Sequence, residues 1–80
     1  MITKFEILEL FDDYSVIGPR ELGNYFGMGY AWAAMRINKL KKAGLVEPLG
    51  VERGRWVLSV EGYKRLDYLR TKRQDDESTR

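Results

Sequence analysis

Apolar residues recur along this chain in two rhythms, one helical and one extended. Phe5, Ile7, Leu8, Leu10 and Phe11 follow the helical period. Thr3 with Glu6 three residues on makes a capping box, so a first helix is expected from about Lys4 to Asp12. Tyr14-Ser15-Val16-Ile17 reads as a short strand, stopped by Gly18-Pro19. Pro19 suits the first position of a second helix reaching Tyr25 or Phe26, with Leu22, Phe26 and Tyr25 as its inward candidates. Arg20 and Glu21 open that helix toward water. Gly27-Met28-Gly29 breaks the pattern before a longer helix, expected over 28–43.

That third helix carries two stripes. Ala33, Ile37 and Leu40 form an apolar one and should face a core. Trp32, Met35, Arg36 and Lys39 form the other, an unusual mixture for a plainly solvated face. Lys41 and Lys42 suit the negative end of the helix dipole, and Gly44 suits a left-handed cap that returns Leu45 to the core. A short helix, a glycine turn and a longer helix make a helix-turn-helix pattern.

The rhythm then becomes extended. Val46 to Val51 reads as a strand, placed at an edge by Pro48. Glu52-Arg53-Gly54 supplies a turn, and Arg55 to Leu58 a returning strand with Trp56 packed beneath the hairpin. Ser59 caps a last helix running from Val60 to about Lys72. Val60, Tyr63, Leu66 and Leu69 recur at intervals of three, with Tyr68 beside them, and offer a face for the first helix or for a second copy of the chain. Residues 71–80, TKRQDDESTR, contain no apolar side chain and are expected to be a disordered polar tail. The expected organisation is one domain over residues 1–70 followed by that tail.

Composition narrows the chemistry. The chain has 80 residues, no cysteine and no histidine, which removes thiolate chemistry, disulfides, the commonest general base and the commonest zinc ligand. Ser15, Ser59 and Ser78 lie in no nucleophile motif, and Gly27-Met28-Gly29 lacks the spacing of a phosphate-binding loop. Asp12-Asp13 is read as the end of a helix, because adjacent side chains diverge there. An enzyme is therefore not expected, nor a metal or other cofactor. No apolar run is long enough to span a bilayer, and the acid-rich N-terminus lacks the form of a signal peptide, so the expected location is the cytoplasm. The net charge is +2, unevenly spread: residues 1–17 sum to −3, residues 18–58 to +4 and residues 59–80 to +1. The basic segment holds the third helix and the hairpin. Such a stripe is the footprint of a nucleic-acid binder, or else a solvated helix face.

Leu40 with Gly44-Leu45-Val46, then Trp56-Val57-Leu58-Ser59 with Gly62 and Leu66, resemble the winged helix-turn-helix superfamily, and within it prokaryotic transcription regulators of the MarR, ArsR and PadR types. The resemblance covers about residues 3–70. It implies an α+β, mostly helical fold in the order α-β-α-α-β-β-α and a double-stranded DNA partner. The helix over 28–43 would enter the major groove and the wing over 46–58 would lie on the backbone or minor groove. The candidate DNA-binding residues are Arg20, Tyr30, Trp32, Met35, Arg36, Lys39, Arg53 and Arg55. Arg36 is the first choice for reading guanine, and Lys39, Arg20, Arg53 and Arg55 for phosphates. Tyr30 and Trp32 stand where many relatives carry Ser or Thr; Trp32 either touches DNA or packs between helix and wing. A homodimer through Tyr63, Leu66 and Leu69 of the last helix follows from the need for two half-sites. Two other classes remain open: an interaction adaptor anchored by Trp32 and Met35, and a single-strand binder that stacks bases on Tyr30 and Trp32.

Overall fold

Residues 2–50 and 54–78 are described by a computed structural model, with side chains as far as Lys72. Helix α1 spans Lys4–Tyr14. The Thr3 hydroxyl accepts from the Glu6 N–H at 3.2 Å and donates to the Glu6 carboxylate at 3.4 Å, which satisfies an orphan amide of the first turn. The helix runs on past Asp12 because Asp13 and Tyr14 do not block helical backbone. Ser15 makes the turn instead, with φ 67° and its N–H on the Phe11 carbonyl at 2.8 Å. Only Val16 and Ile17 are then left before Gly18. The expected strand over Tyr14–Ile17 thus shrinks to one bridge, in which Ile17 and Trp56 exchange backbone hydrogen bonds of 3.0 and 2.9 Å.

Helix α2 is Pro19–Phe26, with Pro at its start and Gly18 as N-cap. Gly27 closes it in the left-handed conformation. The Gly27 and Met28 N–H groups return to the Asn24 and Gly23 carbonyls at 3.3 and 2.7 Å. Met28 is consumed by this cap, so helix α3 spans Tyr30–Lys42 rather than beginning at Met28. The same pair of cap bonds ends α3, from Gly44 to Lys41 at 2.9 Å and from Leu45 to Leu40 at 2.9 Å.

Strands β1, Val46–Pro48, and β2, Trp56–Leu58, pair antiparallel with Val46 opposite Leu58 and Pro48 opposite Trp56. The Leu49 N–H donates to the Arg55 carbonyl at 2.8 Å and extends the hairpin beyond the strands. The strand expected to reach Val51 ends at Pro48, and Gly50 turns with φ 60°, while Val51, Glu52 and Arg53 lie outside the described residues. Helix α4 spans Val60–Ser78. Ser59 caps it as expected: its Oγ accepts from the Gly62 N–H at 3.0 Å and donates to the Gly44 carbonyl, joining the end of α3 to the start of α4.

The backbone of α4 runs to Ser78, past the end expected near Lys72, and no Gly or Pro follows Gly62 to stop it. Of the stripe offered to the first helix or to a second copy, the C-terminal part joins the core. Leu66 is 1% exposed and Leu69 packs partly buried against the same cluster, while Tyr63 is 47% exposed. A spacing of three falls short of a full turn, so the series Val60, Tyr63, Leu66, Leu69 winds from the solvent side into the core side.

Among the described residues these elements make a small α+β structure, mostly helical, with four helices and a two-stranded antiparallel sheet. Its core draws Ile7, Leu8 and Phe11 from α1, Leu22 from α2, Ile37 from α3, Leu58 from β2 and Leu66 from α4, together with Ile17. Arg70 ties α4 to α1 through the Asp12 and Glu9 carboxylates at 3.0 and 3.5 Å, and the Asp12 hydrogen bond raises its pKa against a desolvation that lowers it. Two glycines set the closest approaches. A Cβ on Gly62 would strike the Leu45 carbonyl, and one on Gly18 would strike the Gly54 carbonyl.

Candidate nucleic-acid interface

Helix α3 divides its side chains by angle, at about 100° per residue. Ala33, Ile37 and Leu40 are buried, as their spacing predicts. Directly opposite them stand Ala31, Met35, Asn38 and Lys42, with Lys39 beside them, all exposed. The helix carries four cations and no acid. Among the described residues no polar or charged side chain is buried, so the chemistry on offer lies on this kind of surface.

The second stripe expected on α3 splits in two. Met35 and Lys39 are exposed. Trp32 and Arg36 lie nearer the core side and are half-buried. The Trp32 ring meets Phe26 edge to face with centroids 6.0 Å apart. The Arg36 guanidinium sits 5.6 Å from the Trp32 ring centroid and donates to the Ile2 carbonyl at 3.3 Å. Arg36 is thereby drawn toward the chain's N-terminal segment and away from the outermost stripe. Trp32 takes the packing role left open by the sequence, on the side of α2 rather than of the hairpin.

The other candidates are spread around this helix. Tyr30 opens α3 and is 63% exposed; Gly29, its N-cap, has no side chain to satisfy the first amides, which stay available to an anion. Arg20 is exposed in the first turn of α2. Arg55 is exposed on the hairpin, next to β2. Arg53 lies outside the described residues. Between α3 and the hairpin runs a groove of about 210 Å³, with Ile37 and Trp56 among its lining and Tyr30 and Asn38 contributed by α3. Lys41 leans over the Trp56 ring at 5.7 Å, which leaves Lys39 and Lys42 as the cations of the outer face.

Sequence reasoning missed Asn38 and Lys42. The signal was available: they follow Ala31 and Met35 at helical spacing, opposite Ala33 and Ile37. Asn38 matters chemically because its amide offers a donor and an acceptor side by side, the pattern that matches an adenine edge. Among the described residues, no helix is long and apolar enough to cross a membrane. Comparison of the chain with family models, curated proteins and solved structures finds no match.

Proposed function

We propose that this chain is a double-stranded DNA-binding module of the winged helix-turn-helix type, acting as a small transcription regulator. The observation that supports it most is the outer stripe of α3. It pairs an amide and two lysines with small and apolar side chains, follows a glycine-capped turn, and is flanked by a hairpin. In this reading α3 enters the major groove. Asn38 contacts a base edge, and Ala31 and Met35 offer apolar contact to thymine methyl groups. Lys39, Lys42, Arg20 and Arg55 contact phosphates, and Tyr30 with the free amides at the start of α3 adds a further phosphate contact. Arg36 is reassigned from base reading to holding Trp32 and the N-terminal segment. The adaptor reading has less support, because the Trp32 half of its anchor pair packs on Phe26.

The test is fluorescence anisotropy on a random-sequence duplex across a salt series. Four side-chain phosphate contacts give an expected slope of log affinity against log salt of about −3.6. Absence of binding at low salt refutes the proposal, and equal preference for single strands moves it to the stacking class.

A further inference from the structure

On the side of the molecule formed by α1 and α2, an apolar cavity of about 180 Å³ opens between Leu10, Tyr14, Val16, Ile17 and Tyr25, with Glu21 as its charged lining residue. Its floor is core: Leu10 and Ile17 are buried. Its walls are two tyrosines that the fold leaves 62% and 61% exposed, Tyr14 and Tyr25, whose rings meet edge to face at 6.4 Å. The Tyr25 ring also meets Phe26 edge to face at 5.0 Å, yet both tyrosines keep most of their surface in solvent. Exposed tyrosines around an apolar cavity are the usual composition of an interaction site.

A second groove of about 200 Å³ adjoins the first and shares Leu10 and Tyr25 with it. Glu6, Glu9 and Asp13 line this one. Neither lining contains a lysine or arginine. Glu9 is partly engaged by Arg70, and Glu6 by Thr3. Asp13 and Glu21 have no ion-pair partner among the described residues. The two grooves together form an apolar socket with an acidic track leading from it, in a chain whose net charge is positive.

We propose that this face docks a basic peptide segment of a partner protein. An apolar side chain of leucine or phenylalanine size fills the Tyr14–Tyr25 socket, and flanking lysines or arginines lie along Glu21, Asp13, Glu9 and Glu6. The extent of the acidic track selects a peptide over a small organic cation, because a ligand confined to the socket meets Glu21 alone. The site does not depend on the DNA-binding reading. On α2 the exposed residues Glu21 and Tyr25 belong to the docking face, while Arg20 and Asn24 lie one step round the helix, so both surfaces can be occupied together.

The experiment uses the full chain, labelled with 15N, and three labelled peptides. The first has Phe-Leu flanked on each side by Lys-Arg, the second has the same centre flanked by Glu-Glu, and the third has the basic flanks around Ser-Gly. Butylguanidinium serves as a small-cation probe. The expected result is binding of the first peptide alone, with amide shifts confined to residues around Leu10, Tyr14, Ile17 and Tyr25. Glu21→Lys should weaken that binding by roughly tenfold or more, since it places like charges together. Tyr14→Ser should do the same, and Glu21→Gln, which leaves the fold least disturbed, should give a smaller loss. The proposal is overturned if no basic peptide binds at low salt, if acidic flanks serve equally, if the shifts fall on α3, or if butylguanidinium binds as tightly as the peptide.

Discussion

Replacing Gly62 with alanine isolates the contact that seats α4 against the hairpin. In an unconstrained helix that change stabilises by roughly 0.5–1 kcal/mol, because alanine loses less backbone freedom on folding. Here the added Cβ runs into the Leu45 carbonyl and comes to 3.0 Å from Leu58 Cδ2. The carbonyl cannot swing aside freely, since it accepts the Ser59 N–H at 3.0 Å. Overpacking of this kind costs about 1–3 kcal/mol, and loss of the Ser59 bond adds about 1 kcal/mol. The net expectation is a destabilisation of about 1–3 kcal/mol, which in a domain of this size lowers the melting temperature by roughly 5–20 °C. Thermal and urea unfolding of the full chain, followed by circular dichroism, measures it. Gly29→Ser is the matched control: nothing lies near its Cβ, its backbone is that of an N-cap, and serine there should be neutral or stabilising. A Gly62→Ala protein that melts at or above the wild-type temperature refutes the idea that close approach dictates glycine at this position.

Ser59→Ala removes both the α4 cap and the link to Gly44, so unfolding in urea should show a loss of about 1–2 kcal/mol with an unchanged m-value. Arg36→Ala should lower stability by about 1 kcal/mol through loss of the Trp32 and Ile2 contacts, yet leave DNA sequence preference as it was; a relaxed preference at one base pair restores Arg36 as a reader. Asn38→Ala should show the reverse, with stability kept and about 1–3 kcal/mol of binding lost at one base pair in a selected target. Lys39→Ala should weaken every duplex alike and reduce the salt slope by about one.

The parts of the fold legible from sequence are those written in local chemistry. Thr3, Pro19, Gly44 and Ser59 mark helix boundaries because each meets a backbone need that few other residues meet. Periodicity correctly selected Ala33, Ile37 and Leu40 as the buried face of α3. In α4 a spacing of three winds around the helix, and of the series offered to the first helix or to a second copy, Leu66 belongs to the core while Tyr63 is exposed. The extent of the helices was harder to read, because α1 and α4 continue through polar residues that permit a helix without announcing one. Arg36 shows the other limit. Its neighbours along the chain suggest a free cation, and its actual partner is the carbonyl of Ile2, near the opposite end of the sequence. Contacts between distant segments leave no local trace, so the Arg36–Ile2 pairing could not be read from the residues around Arg36.

The bridge between Ile17 and Trp56 bears on how the molecule assembles. Those two hydrogen bonds close a loop that contains α2, α3 and the hairpin's first strand, so the β2 backbone is completed only when the α1–α2 junction has arrived beside it. Closing that loop carries an entropic cost that no local interaction offsets, which places the bridge late on the folding route and makes the hairpin dependent on the helices. The same dependence runs in reverse. The amides of Ile17 and Trp56 should exchange with solvent only when the whole domain opens, so this pairing is held as firmly as the core beneath it.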